Sequence, residues 1–197
     1  RRAEPGVTLV HPTAIVDPVF ADPSRVSAVE AIVGVWAYAI VIYSDFAGYT
    51  DIAIGIAKLL GFQFPQNFDR PYSARSLQDF WRRWHITLSR YLRDYLYIPL
   101  GGSKKGEVRT YVNLFLTMVL GGLWHGAAWT FVLWGAYYGV GQSIGAWKRK
   151  HLPPPAETPA RRWGQRIVTF NLVCLGWIFF RSDSVASAFA MIGRLFT

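Results

Sequence analysis

Asp79-Phe80-Trp81-Arg82-Arg83-Trp84-His85 and, further along, Gly121-Gly122-Leu123-Trp124-His125-Gly126 bound the stretch that decides how this chain folds. Two of the four histidines stand there, each directly after a tryptophan, among neighbours too apolar for ordinary solvent-facing loops. An ionisable side chain in such surroundings is costly unless it is paired or faces a wet cavity, so both are candidate functional residues. The remainder of the chain reads as walls for that cavity.

Composition points to a bilayer as solvent. The 197 residues are 52% hydrophobic and 16% aromatic, with a mean hydropathy of +0.19, which fits a water-soluble globule poorly. Net charge is +9, concentrated between Arg70 and Arg109 (nine Lys/Arg against three acids) and between Lys148 and Arg166 (six against one). These charges flank apolar runs, as the positive-inside bias does, and do not form the exposed basic stripe that a nucleic-acid groove needs, so no nucleic-acid partner is expected. The single cysteine, Cys174, lies in an apolar run and rules out an internal disulfide and any cysteine-based metal site. The chain opens at Arg1 without a methionine, and its first thirty residues lack the basic and apolar regions of a signal peptide. A C-terminal piece of a longer membrane protein is expected.

The pattern predicts an all-α fold of membrane helices. Residues 1–25, with Pro5, Pro12, Pro18 and Pro23, read as an irregular arm, and 26–147 as the motif-bearing core. Val26 to Tyr43 would span about 27 Å as a helix, close to a bilayer core. Asp45 and Asp51 follow at its apparent mouth. Ile52 to Phe62 is too short to cross and is either re-entrant or a continuation past a kink at Gly48. Gly61 to Tyr72 is a turn-rich connector. From Leu77 to Ile98 a helical period puts Phe80, Trp84, Leu88, Tyr91 and Tyr95 on one side and Arg82, Arg83, Arg90 and Arg93 on another, which predicts a basic amphipathic helix, interfacial or re-entrant. His85 falls at the edge of its apolar side.

Pro99 to Gly106 forms a basic loop, and two apolar helices follow, Thr110 to about Leu123 and Ala127 to Trp147. If both cross, the basic loops before and after them share the cytoplasmic side, and the turn carrying His125 lies deep in, or across, the membrane. Residues 148–166 read as a basic, Pro-rich loop in which His151 is solvated, and 167–197 as terminal helices that carry no chemical signal.

Common catalytic signatures are absent: there is no Gly-x-Ser-x-Gly elbow and no His-Glu-x-x-His, and no cluster of ligands completes a metal site around the two histidines. A neutral imidazole in a water-poor chamber suits general-base work, because desolvation disfavours its charged form. Taking a proton from a hydroxyl that attacks an activated acyl carbonyl is such a task. A lone membrane histidine that only hydrogen-bonds between helices is the competing possibility.

Several runs in order, Tyr43-Ser44-Asp45-Phe46-Ala47-Gly48-Tyr49-Thr50-Asp51, Asp79 to Ser89, Tyr91 to Gly102 and Asn113 to Ala127, resemble the membrane-bound O-acyltransferase family, in the branch that O-acetylates bacterial alginate. The resemblance implies a multi-pass membrane domain, of which this chain is the C-terminal part, in the bacterial cell membrane. It implies transfer of an acetyl group from a cytoplasmic thioester, acetyl-CoA or an acyl carrier, with no bound cofactor and no metal. The destination would be an extracytoplasmic polysaccharide, reached directly or through an exported O-acetyltransferase partner. On the matching positions His125 would be the general base and His85 would orient a substrate or pass a proton. Trp124, Trp84, Asp79, Arg82 and Asn113, all inside the matching runs, are the candidates for substrate contact. Two alternatives compete: D-alanyl transfer toward teichoic acid, and a proton-coupled transporter, although no duplicated half of the kind common in transporters is visible.

Overall fold

The computed structural model describes residues 13–153 and 156–197, and these are helical with no strand among them. The order is α1 (Thr13–Ala21), α2 (Ala28–Leu59), α3 (Leu77–Arg83), α4 (Ile86–Leu92) running into a π-helical stretch Arg93–Tyr97, α5 (Glu107–His125), α6 (Trp129–His151), α7 (Pro159–Arg181) and α8 (Val185–Arg194).

The expected irregular arm is corrected over 13–25, its first twelve residues lying outside those described. α1 forms around Pro18 because Val16, Val19 and Phe20 are buried against α2, and packing outweighs the lost backbone bond. Gly34 makes this contact possible, since a Cβ there would sit 2.6 Å from a Val19 methyl.

α2 starts with a capping box in which Ser27 N–H donates to Glu30 at 2.7 Å and Ser27 Oγ accepts from Glu30 N–H. Its 32 residues run unbroken through Gly48 for about 48 Å. Of the two alternatives for Ile52 to Phe62, continuation therefore holds. Asp45 and Asp51 are exposed on the side of the continuous helix, not at its mouth. Among the described residues α2 is the one helix long and apolar enough to cross a membrane by length and composition. The uncharged part of α6, Trp129 to Trp147, carries Trp, Tyr and Gly where a strongly apolar span would carry Leu or Ile.

α5 and α6 form an antiparallel hairpin pressed backbone to backbone. A Cβ on Gly122 would lie 2.2 Å from the Phe131 carbonyl oxygen, and one on Gly135 2.4 Å from that of Met118. Small residues thus set the helix spacing, as they do between membrane helices. At the other end Glu107 accepts from Lys150 Nζ at 2.8 Å and lies 2.6 Å from His151 Nε2. His151 belongs to this clasp and is not merely solvated. The expected loop at 148–166 is shorter than read: α6 runs to His151 and α7 begins at Pro159, where Thr158 Oγ1 accepts from Arg161 N–H and proline takes the first helical position.

The single amphipathic helix expected over Leu77 to Ile98 is broken. Trp84 is extended and His85 left-handed at φ 43°, so α3 and α4 are separate. The connector supplies what the break frees. Asn67 C=O accepts from Ile86 N–H at 2.9 Å, Asp69 N–H donates to Arg83 C=O at 2.9 Å, and Asn67 Oδ1 accepts from Thr87 N–H at 3.2 Å and Thr87 Oγ1–H at 2.9 Å. Asn67 is 6% exposed, so water does not stand in for it. A non-glycine residue held in the left-handed region is strained by about 1–3 kcal/mol, which these bonds offset.

Two outcomes follow for stability. Gly135→Ala forces backbone apart and is expected to cost about 1–3 kcal/mol, read as a lowered melting temperature of the detergent-solubilised protein. Asn67→Ala leaves Thr87 N–H without its acceptor and is expected to cost about 1–3 kcal/mol, with faster proteolysis between residues 83 and 87; wild-type resistance in that segment would contradict the bracing role of Asn67.

Candidate active site

His85 owes its position to the break. Its Nδ1 lies 3.1 Å from Asn67 Oδ1, and its ring meets Phe46 edge-on with centroids 4.8 Å apart. Because Oδ1 already accepts from Thr87 N–H, the amide oxygen is fixed on this side, and Nδ1 must donate to it. In the neutral ring the second nitrogen, Nε2, is then left as an acceptor.

His125 is the last residue of α5, with Gly126 as its C-cap. A Cβ on Gly126 would lie 2.7 Å from the Phe131 ring, so glycine lets α6 fold back over the imidazole. Four rings pack against that imidazole: Trp134 and Phe131 of α6 at 5.2 and 6.2 Å, Phe180 of α7 at 5.1 Å and Trp124 at 5.1 Å. Among the described residues its nitrogens have no hydrogen-bond partner, and the ring is half-buried. A polar ring aimed away from every protein partner is free to take a proton from a ligand.

One aromatic wall joins the two histidines. Trp84, adjacent to His85, meets Trp177 at 4.9 Å; Trp177 meets Phe180 at 5.6 Å; and Phe180 meets His125. α7, in which the sequence shows no chemical signal, therefore supplies Trp177 and Phe180 to the site. Asn67 was missed as well, since in sequence it is a turn asparagine two residues after Pro65.

The other candidates separate. Trp124 is 65% exposed beside His125, while Trp84 is 4% exposed and packed on Tyr43, Phe68, Tyr72, Phe80 and Trp177. Asp79 accepts from Arg83 Nε at 2.8 Å and from Arg75 N–H at 3.1 Å, which ties down the start of α3. Asn113, wholly buried, donates to the Gly102 carbonyl at 2.9 Å and so anchors the basic loop. It lies twelve residues, about 18 Å, from His125 along α5. Arg82 faces a cavity of about 750 Å³ between α3, α4, α5 and α6. Neither that cavity nor another of about 990 Å³ between α6 and α7 is lined by His85 or His125, so the described residues enclose the histidines only in part. Among the described residues no group of His, Cys, Asp and Glu could hold a metal ion.

The chain is 48% identical over 168 residues to the "Probable alginate O-acetylase AlgI" of Pseudomonas fluorescens, covering 85% of this chain and 33% of that protein. It is 42% identical over 178 residues to the peptidoglycan O-acetyltransferase of Helicobacter pylori, with 88% and 33% covered. It is 31% identical over 159 residues to the teichoic acid D-alanyltransferase of Bacillus subtilis, with 74% and 39% covered. The chain thus spans about a third of the length of the curated relatives first matched. The model of the membrane-bound O-acyltransferase family matches residues 19–188, both histidines included, and this membrane protein chain belongs to that family.

Proposed function

We propose that the intact protein is a multi-pass membrane O-acyltransferase that moves an acetyl group from a cytoplasmic thioester toward a hydroxyl of an extracytoplasmic, alginate-like polysaccharide. The observation that carries this is the placement of His125: an imidazole with no hydrogen-bond partner among the described residues, at the end of α5 farthest from the basic loops, sharing one aromatic wall with His85. With the basic ends of α5 and α6 on the cytoplasmic side, as the positive-inside bias asks, His125 lies about 27 Å from Glu107 along a 19-residue helix, toward the opposite face. Acetyl is favoured over D-alanyl because the acetyl-transferring relatives are 48% and 42% identical and the D-alanyltransferase 31%.

In the chemistry we assign, a His125 nitrogen takes the proton of the acceptor hydroxyl as its oxygen attacks the thioester carbonyl. The carbon–sulfur bond breaks, the thiolate leaves with the proton that His125 then returns, and ester and free thiol result. His85, pinned through Nδ1 to Asn67, presents Nε2 to orient substrate or receive a proton. Trp124 is placed to contact the acceptor, and Trp84 to hold the wall. The acetyl donor, acetyl-CoA or an acyl carrier, arrives as substrate, and an exported O-acetyltransferase is the partner that would receive or use the acetyl group.

In the intact protein, His125→Ala is expected to lower transfer about 100- to 10,000-fold with membrane insertion unchanged, and His85→Ala to reduce it severely. Radiolabelled acetyl and D-alanyl thioesters, offered to purified protein, check both the variants and the donor. Wild-type turnover by His125→Gln would contradict the base assignment, and labelling from D-alanyl alone would replace acetyl.

A further inference from the structure

A groove of about 990 Å³ runs between α6 and α7, and neither histidine of the site lines it. Along α6 it reaches from Leu133 to Lys148, about 22 Å of helix. Its middle is hydrocarbon: Val140, Ile144 and Val168 line it and are 49%, 50% and 59% exposed. Tyr137 Oη–H donates to the Leu172 carbonyl at 2.8 Å and ties the two helices together beside it.

One end of the groove is cationic. Arg75, Lys148, Arg149 and Arg161 line it, and no Asp or Glu is among its described lining residues. Arg75 is engaged by Glu157 at 2.9 Å, and Arg149 also lines the smaller cavity between α3, α4, α5 and α6. Lys148 and Arg161 are the cations left to this groove, and neither has a carboxylate partner among the described residues. The same end carries Trp147 and Trp163, 45% and 62% exposed, each next in sequence to a residue that lines the groove, Lys148 and Gly164. Exposed tryptophans at one level of membrane helices mark the boundary between headgroups and hydrocarbon. The positive-inside bias puts this end on the cytoplasmic side. A bilayer with its headgroups is about 40–45 Å thick, so the groove is as long as one leaflet is deep. Gly164 keeps the cationic end open, since a Cβ there would meet nothing within 4 Å.

We infer that this groove holds one anionic phospholipid of the cytoplasmic leaflet, with its phosphate on Lys148 and Arg161 and an acyl chain between α6 and α7. Apolar walls that end in uncommitted cations call for a ligand that is hydrocarbon along its length and negative at its head. A zwitterionic headgroup would bring an amine to an end that no carboxylate lines. Guanidinium donates two parallel hydrogen bonds to a phosphate, and the lysine ammonium adds a compact charge. Basic pockets between membrane helices on the cytoplasmic side recognise anionic lipid heads in this way. α6 and α7 carry Trp134, Trp177 and Phe180 of the aromatic wall, so the lipid braces the two helices behind the site. The inference goes beyond the acyl-transfer reading and does not depend on it.

The test uses the intact protein in detergent, titrated with dioleoyl phosphatidylglycerol or dioleoyl phosphatidylcholine and followed by native mass spectrometry and by melting temperature. The wild type is expected to retain one phosphatidylglycerol per chain and to melt higher with it, and to gain little from phosphatidylcholine. Lys148→Gln combined with Arg161→Gln should weaken phosphatidylglycerol retention about 10- to 30-fold, while Lys148→Arg keeps it. Gly164→Leu fills the open space with a better helix former, so it should fold at least as well as the wild type and lose the lipid-dependent rise in melting temperature. Should the double variant fail to insert, Gly164→Leu carries the comparison. Wild-type retention by either variant, equal retention of phosphatidylcholine, or cross-linking of Val168→Cys to another helix of the intact chain or to a second copy overturns the site. Turnover of acetyl thioesters is measured separately, so loss of the lipid site and loss of the acyl-transfer reading are told apart.

Discussion

A helix that breaks in apolar surroundings must find partners for the backbone it frees, and here the connector between α2 and α3 provides them. Asn67 uses its carbonyl for Ile86 N–H and its side chain for Thr87, while Asp69 takes the Arg83 carbonyl. Without water to substitute, the break exists only where these groups stand. Everything said of His85 depends on it: its left-handed backbone, the nitrogen that donates, the edge-on contact with Phe46. The break also tips α3 so that Phe80, Trp81 and Trp84 enter the core against Tyr138, Trp134 and Trp177.

The hairpin of α5 and α6 was legible because glycines and apolar runs reported the same thing at two levels, close packing and a tight reversal. The break was not, because the apolar period of Leu77 to Ile98 persists through it; one residue in the left-handed region redirects the chain without disturbing which positions are apolar. What forces the break lies 18 residues upstream in Asn67, a long-range partner that periodicity cannot reveal. α1 was hidden by Pro18 within it and the prolines that flank it; the local cost of Pro18 is outweighed by contacts with α2. The start of α7 was recoverable, for Thr158 followed by proline is a helix-opening pattern that the basic, Pro-rich composition masked.

Membership of a motif and participation in chemistry turn out to be separable. Asp79 and Asn113 stand in the most family-like runs, yet their hydrogen bonds go to backbone and to Arg83, and the work they do is to hold α3 and the basic loop in place. Trp84 likewise spends its surface on five rings. The Asp79 carboxylate is engaged by Arg83 and the Arg75 N–H, and Asn113 is wholly buried with its amide N–H committed and its Oδ1 alone unpaired, whereas among the described residues the two half-buried imidazoles each keep a nitrogen uncommitted. Hydrogen-bond accounting therefore sorts the motif residues where sequence alone treats them alike.

The same accounting explains why charge and imidazole lie at opposite ends of α5. The Glu107 clasp with Lys150 and His151 fixes the basic termini together, and the glycine-lined seam carries that register along the hairpin to His125. A basic end attracts anions, and the same charges placed beside the imidazole would resist the positive charge that the neutral ring gains on taking a proton. A helix of this length keeps the anion-attracting end remote from the proton-accepting end while leaving them mechanically coupled. Anion attraction at one end and a neutral ring with a free nitrogen at the other thus become compatible within one hairpin.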